Sequence, residues 1–93
     1  MAETTRHLRI HGRVQGVFFR AWSAEEARSL GLRGWVRNRS DGTVEMLLAG
    51  SDDAVGRMIE RCREGPPAAR VERIDVAKTD EAAPDGFEKR RTV

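Results

Sequence analysis

Residues 34–50 read GWVRNRSDGTVEMLLAG, and the rest of the predicted fold is arranged around them. Two runs rich in β-forming residues, Gly34–Arg39 and Val44–Gly50, flank the dipeptide Asp41-Gly42. An Asp-Gly pair between two such runs is a strong signal for a tight turn joining antiparallel strands. The sequence therefore predicts a β-hairpin at the middle of the chain.

A helix is predicted on each side of this hairpin. From Phe19 to Leu30, small and apolar residues recur every three positions, and Gly31 follows as a C-terminal cap. After the hairpin, Ser51 offers an N-terminal cap and Gly65-Pro66-Pro67 ends the second helix. The apolar stripe of this second helix has the spacing i, i+3, i+4 and i+7 and consists of Val55, Met58, Ile59 and Cys62.

Further strands are predicted at the two ends of the chain. Residues 7–12 (HLRIHG) alternate in polarity, as do residues 70–77, and residues 87–93 suit a short edge strand. The order is strand, helix, strand, strand, helix, strand. Two crossover helices around one hairpin predict an α+β, ferredoxin-like βαββαβ sandwich with both helices on one face of an antiparallel sheet. We expect one domain over residues 1–93, with residues 1–5 as a flexible tail.

Composition limits the classes of function. The chain has 93 residues, a net charge of +2 and one cysteine. The net positive charge is too small to predict nucleic-acid binding. Of the 17 basic residues 15 are arginine, whose guanidinium binds phosphate or carboxylate well. No apolar segment suits a membrane span or signal peptide, and no Cys/His cluster suits a metal. We expect a cytoplasmic monomer without cofactor, metal or membrane partner.

The segment GRVQGVFFR (Gly12–Arg20) joins the first strand to the first helix. Backbone N–H groups at a helix start have no partner within the helix, and with the helix dipole they can bind an anion. Glycines at 12 and 16 would let the backbone curve around such a ligand. A plain tight turn explains these glycines equally well. Arg20 favours the anion site, because a cation in a first helical turn opposes the dipole unless an anion lies between them. The support is weak, since surface arginines are common.

Other residues give no catalytic constellation when considered locally. Asn38 is disfavoured within a strand and is better explained as part of the following turn. Cys62 is expected in the core, and His7 and His11 are expected in solvent. Two serines, Ser23 and Ser29, have no evident base, so no nucleophile can be assigned.

The combined motifs resemble the acylphosphatase family. They are GRVQGVFFR, then EEARSLGLRGWVRN, then DGTVEMLLAG, in the family's order and spacing from about Ile10 to Gly50. The resemblance implies hydrolysis of the carboxyl–phosphate anhydride of small acyl phosphates, with release of carboxylate and inorganic phosphate and without metal or cofactor.

The resemblance also implies roles for individual residues. Arg20 takes the position of the arginine that binds phosphate, and Asn38 takes that of the asparagine that orients the attacking water. The phosphate-binding loop then comprises Gly12, Arg13, Val14, Gln15, Gly16, Val17 and Phe18.

The resemblance weakens at the C-terminus. Family members commonly carry an apolar residue after the Phe-Glu pair, where this chain has Lys89 and then a basic tail. The register of the last strand is therefore not predicted. The alternative function is a non-catalytic module that binds anions or RNA. Trp22 and Trp35 favour packing over an RNA-stacking platform, since no RNA-binding aromatic motif is present.

Overall fold

The computed structural model of the protein describes residues 3–93. The strands are β1 (Thr4–Arg13), β2 (Arg33–Asn38), β3 (Val44–Gly50), β4 (Arg70–Lys78) and β5 (Phe87–Lys89). The helices are α1 (Phe19–Ser29) and α2 (Asp52–Glu64). This order confirms the predicted ferredoxin-like fold.

The five strands form one sheet in the order β4-β1-β3-β2-β5. Neighbours pair antiparallel except at the β2 edge, where β5 runs parallel to β2 and places Lys89 opposite Val36. The four strands of the predicted βαββαβ unit pair antiparallel as expected, and the parallel fifth strand makes the whole sheet mixed. The parallel fifth strand brings the C-terminal residues beside the end of β2.

The core lies between the sheet and the two helices. Its fully buried strand residues include Leu8, Ile10, Val36, Met46 and Leu48, which alternate along their strands and face the helices. Helix α1 packs mainly on β2 and β5, and α2 packs mainly on β4. Both helices of the described chain lie on this one face of the sheet.

Two differences from the sequence prediction concern the ends of the chain. Strand β1 already begins at Thr4, where Thr4 and Thr5 pair with Gly50 and Ala49. Residues 1–2 of the predicted tail lie outside the described residues. Strand β5 ends at Lys89, earlier than the predicted end at Val93. The chain nevertheless stays beside β2, because the Arg90 N–H donates to the Val36 oxygen at 2.8 Å.

Candidate active site

Helix α1 begins in a way that leaves its amino end open. The residue before it, Phe18, has left-handed backbone angles (φ 62°, ψ 26°), and its side chain is 84% exposed. That conformation costs a non-glycine residue roughly 1–2 kcal/mol. No side chain caps the helix, and its first turn contains no acidic residue. The positive end of the helix dipole is therefore not neutralised by a carboxylate of its own first turn.

The backbone N–H groups at this helix start are available to a ligand. Within residues 3–93, none of the N–H groups of residues 16–21 donates to another protein atom. Gly16 has φ 73°, and a Cβ placed there would meet no atom within 4 Å. Position 16 therefore favours glycine because of its positive φ and not because a side chain would lack space. Together these N–H groups form a cluster of donors suited to an anion.

Gly12 has a different role from the one its motif suggests. Gly12 and Arg13 lie within β1, paired with Val71 and Arg70, just after a β-bulge between His11 and Gly12. A Cβ at Gly12, whose φ is 128°, would clash with the main-chain oxygen of Arg70. Close approach of β4 therefore requires this glycine, and the interpretation that it curves a loop around a ligand is wrong. The connecting loop itself spans residues 14–18.

The loop is held against the β2–β3 hairpin by Gln15. Its Nε2 donates to the main-chain oxygens of Arg39 and Thr43 at 2.7 and 2.8 Å. Val14 and Val17, on either side of it, are buried in the core. The loop is thus fixed relative to the hairpin residue that directly follows Asn38.

Asn38 is the last residue of β2, not a residue of the turn. It is opposite the buried Val44 in the sheet, so its side chain extends from the face that carries α1. Its main-chain oxygen accepts a hydrogen bond from the Val93 N–H at 3.1 Å, and the Val93 oxygen accepts one from the Ser40 N–H at 2.7 Å. No protein group in residues 3–93 makes a hydrogen bond with the side-chain amide of Asn38, so this amide is free to bind a small molecule.

Arg20 is half-buried in the first turn of α1. One terminal nitrogen of its guanidinium donates to the main-chain oxygen of Arg90 at 3.3 Å. In the described part of the chain no carboxylate lies within ion-pair distance of this guanidinium. Its charge is therefore left for a ligand.

Arg20, Asn38 and the loop meet in one cleft of about 540 Å³. The cleft is lined by Val14, Gly16, Phe18, Phe19, Arg20, Ala21, Asn38, Lys89, Arg90 and Arg91. Of the predicted site residues, Arg20, Asn38, Val14, Gly16 and Phe18 thus share one cleft. Gly12, Arg13, Gln15 and Val17 are not among its lining residues. Sequence reasoning did not place Lys89, Arg90 and Arg91 at the site, and its signal for them was the lysine and basic tail that follow Phe-Glu.

The serines and the cysteine take no part in this cleft. The hydroxyls of Ser23 and Ser29 donate to main-chain oxygens one turn earlier, at 3.1 and 2.8 Å. Cys62 is fully buried, as predicted, and burial raises the pKa of its thiol to about 12. These groups offer no nucleophile to a ligand in the cleft.

The helix-free face of the sheet carries a buried carboxylate. Glu45 is 6% exposed and accepts hydrogen bonds from Arg37 and Arg39 at 2.6 and 2.9 Å, and its other oxygen lies 2.6 Å from His7 Nε2. Burial alone would raise the pKa of Glu45, but these hydrogen bonds and the Arg37 charge lower it from 4.5 to about 2.

The two histidines are partly buried and paired, so the prediction that they lie in solvent is wrong. Each extends toward a carboxylate on a neighbouring strand, since His7 contacts Glu45 and His11 Nε2 lies 3.0 Å from Asp75. Both histidines lie on the polar face of β1, as the alternation of polarity predicts, and an acid on the neighbouring strand pairs with each of them.

A larger cleft of about 700 Å³ lies at the opposite end of the sheet. Its lining includes three acids, Glu3, Asp80 and Glu81, and three cations, Arg6, Arg33 and Lys78. Arg33 pairs with Glu3, so acidic and basic groups are mixed in this cleft, whereas the charged residues that line the Arg20 cleft are all basic. Across residues 3–93, no three or more His, Cys, Asp or Glu side chains are grouped to hold a metal ion. Within the same range, neither helix has the length and apolar character needed to cross a membrane.

Comparison with known proteins gives one consistent result. The acylphosphatase family model matches residues 6–89. An acylphosphatase of Acidovorax sp. (strain JS42) is 58% identical over 92 residues, which is 99% of this chain and 95% of that protein.

Solved structures give the same result. An acylphosphatase from Coxiella burnetii superposes with a TM-score of 0.91 at 38% identity, over 95% of this chain and 93% of that one. An acylphosphatase from Bacillus subtilis has a TM-score of 0.88 at 34% identity, over 95% and 98%. These matches favour the enzyme over the non-catalytic alternative. Trp35, at 2% exposure, also offers no open face for stacking a base.

Proposed function

This chain belongs to the acylphosphatase family of hydrolases, and from that premise we propose how its own residues carry out the hydrolysis. The phosphoryl group of a small acyl phosphate binds between the Arg20 guanidinium and the free N–H groups at the start of α1. The observation that carries the proposal is the meeting of this uncompensated cation, these donors and the Asn38 amide in one cleft.

Phosphate recognition follows from the geometry of the donors. A guanidinium can donate two parallel hydrogen bonds to phosphoryl oxygens, and backbone N–H groups bind the remaining oxygen charge. A phosphoryl group between them also relieves the unfavourable position of Arg20 at the positive end of the helix dipole. Since charge on the equatorial oxygens must be stabilised in the transition state, these same donors accelerate the reaction.

Asn38 positions the nucleophile. Its amide holds a water molecule in line with the bond from phosphorus to the acyl oxygen. The water oxygen forms a bond to phosphorus as this bond breaks, and the carboxylate leaves with the bonding electron pair. The proton of the water passes to a phosphoryl oxygen. Because a carboxylate is a good leaving group, no general acid or covalent nucleophile is required, in line with the inert serines and Cys62.

Hydrolysis of benzoyl phosphate in ¹⁸O-enriched water tests the proposal. We expect turnover above the spontaneous rate, competitive inhibition by inorganic phosphate, and the label in phosphate. Label in benzoate would show attack at the acyl carbon and would contradict the proposed role of the cleft. Absence of turnover by folded protein would contradict the activity itself.

We also propose that the chain acts as a monomer, since every group assigned here comes from one chain. A cytoplasmic location stays a prediction. Light scattering during the assay checks the first point: a dimer at assay concentration would contradict it.

A further inference from the structure

Strand β5 and the segment directly after it bring two basic side chains, those of Lys89 and Arg91, to the cleft. Lys89 pairs with the fully buried Val36 across a parallel ladder, so its side chain leaves the sheet on the face that carries α1. Lys89 and Arg91 both line the cleft that contains Arg20 and Asn38, and both are exposed at its rim.

Neither of these two cations is neutralised by the protein. In the chain from residue 3 to residue 93, no carboxylate lies within ion-pair distance of Lys89 or Arg91. The residue between them differs. Arg90 donates from Nε to Glu88 at 3.1 Å, and its guanidinium carbon lies 5.1 Å from the centre of the Trp35 ring. Its side chain is therefore occupied, and it contributes its main-chain oxygen to Arg20.

The charge in the cleft exceeds what one phosphoryl group requires. Among residues 3–93, none that lines the cleft is acidic. The Arg20 guanidinium, with one full charge, and the helix start, equivalent to roughly +0.5, together offset most of the negative charge of the phosphoryl group. Lys89 and Arg91 remain beyond that match, at the β5 side of the same cleft.

We propose that Lys89 and Arg91 select acyl phosphates whose acyl portion carries a second anionic group. This inference rests on the proposed function and names the substrate class of the same site. A carboxylate or a phosphonate on the acyl portion has the chemistry that these cations recognise. Exposed charge pairs contribute modestly, so the expected preference is about fivefold to tenfold in kcat/KM at low salt. It should decrease as ionic strength rises, because such pairs are screened.

The test compares substrates of similar shape. These are 4-methylbenzoyl phosphate, 3- and 4-carboxybenzoyl phosphate, and 4-phosphonobenzoyl phosphate. We expect higher kcat/KM for the charged compounds with the wild-type protein. Comparison of the carboxybenzoyl with the phosphonobenzoyl substrate shows which anion is preferred. In the double variant Lys89→Gln/Arg91→Gln, the ratio of charged to methyl substrate should fall to about one. Arg57→Gln is the matched control, since Arg57 pairs with Asp53 on the exposed side of α2 and does not line the cleft. It should keep the wild-type ratio.

Failure of this inference is distinct from failure of the proposed function. Equal kcat/KM for methyl and all charged substrates in the wild type would overturn the inference while the hydrolysis itself stands. If no substrate were hydrolysed, Kd values for 4-carboxybenzylphosphonate and 4-methylbenzylphosphonate would still decide the inference. Tighter binding of the carboxy compound, lost in the double variant, supports it. Equal binding overturns it.

Discussion

The guanidinium of Arg20 donates a hydrogen bond to the main-chain oxygen of Arg90 at 3.3 Å, across seventy positions of the chain. Helix α1 and the segment after β5 are thereby joined at the cleft. A neutral carbonyl orients the guanidinium without cancelling its charge, as a carboxylate would. The arginine is held in place and remains able to bind an anion.

Replacing Arg20 tests its role in phosphate binding. Arg20→Gln should lower kcat/KM for benzoyl phosphate by about 10²–10³, because a donor to the developing charge is lost. Arg20→Lys should restore only part of this, since an ammonium cannot donate in parallel to two oxygens. Steady-state kinetics with inorganic phosphate as inhibitor measures both effects.

The matched control for this change is Arg28→Gln. Arg28 lies on the same helix and donates to the main-chain oxygen of Phe87 at 2.8 Å, but it does not line the cleft. We expect near wild-type kcat/KM for this variant. An equal loss in both variants would mean that Arg20 acts only through packing of α1.

Gln15 positions the loop through its side chain. Gln15→Ala removes two hydrogen bonds to main-chain oxygens and should lower the free energy of unfolding by about 1–3 kcal/mol. It should also lower kcat about tenfold or more, because displacement of the loop from Asn38 misplaces the reacting groups. Urea unfolding and initial rates measure the two effects. Ser29→Ala, which removes two exposed hydrogen bonds, one donated to the Glu26 oxygen and one accepted from Arg61, is the control and should change neither by much. Unchanged kcat in folded Gln15→Ala would refute the positioning role.

Replacement by alanine should have opposite effects on stability at Gly12 and at Gly56. Gly12→Ala places a Cβ against the Arg70 backbone at a φ of 128°, so β1 and β4 must separate. We expect the free energy of unfolding to fall by about 2–4 kcal/mol. Gly56 lies within α2 with open space around a Cβ, so Gly56→Ala should add about 0.5–1 kcal/mol. Denaturant titration of both variants checks this. A tolerated Gly12→Ala would refute the steric explanation of that glycine.

Local patterns predicted most of the fold and part of the site. Strand β3 has its predicted limits because alternation, the Asp-Gly turn and the Ser51 cap all act over a few residues. The steric requirement for glycine at position 12 could not be predicted, because the clash comes from Arg70, which is distant in sequence. The Arg20–Arg90 and Asn38–Val93 contacts could not be predicted for the same reason. They depend on the parallel pairing of β5, for which residues 87–93 carry no local signal.

Glu45 makes the free energy of unfolding depend on pH in acidic solution. Its pKa in the folded protein is about 2 and its ordinary value is 4.5. A lowered folded pKa stabilises the protein fully above the ordinary value, and this contribution is lost as pH falls toward the folded value. Between pH 5 and pH 2.5 the wild type should lose about 2 kcal/mol through this group.

Glu45→Gln removes this titration. Urea unfolding at pH 5 and pH 2.5 should show a smaller loss in this variant than in the wild type. The same loss in both proteins would mean that Glu45 is not the group responsible.

Replacement of Asn38 by alanine separates the binding of phosphate from the positioning of water. In the proposed mechanism, Arg20 and the loop bind the phosphoryl group while Asn38 orients water. We predict that Asn38→Ala lowers kcat for benzoyl phosphate by about 10² or more, with the inhibition constant for inorganic phosphate nearly unchanged. Wild-type kcat with a much weaker inhibition by phosphate would contradict the claim, since Asn38 would then bind phosphate and not position water.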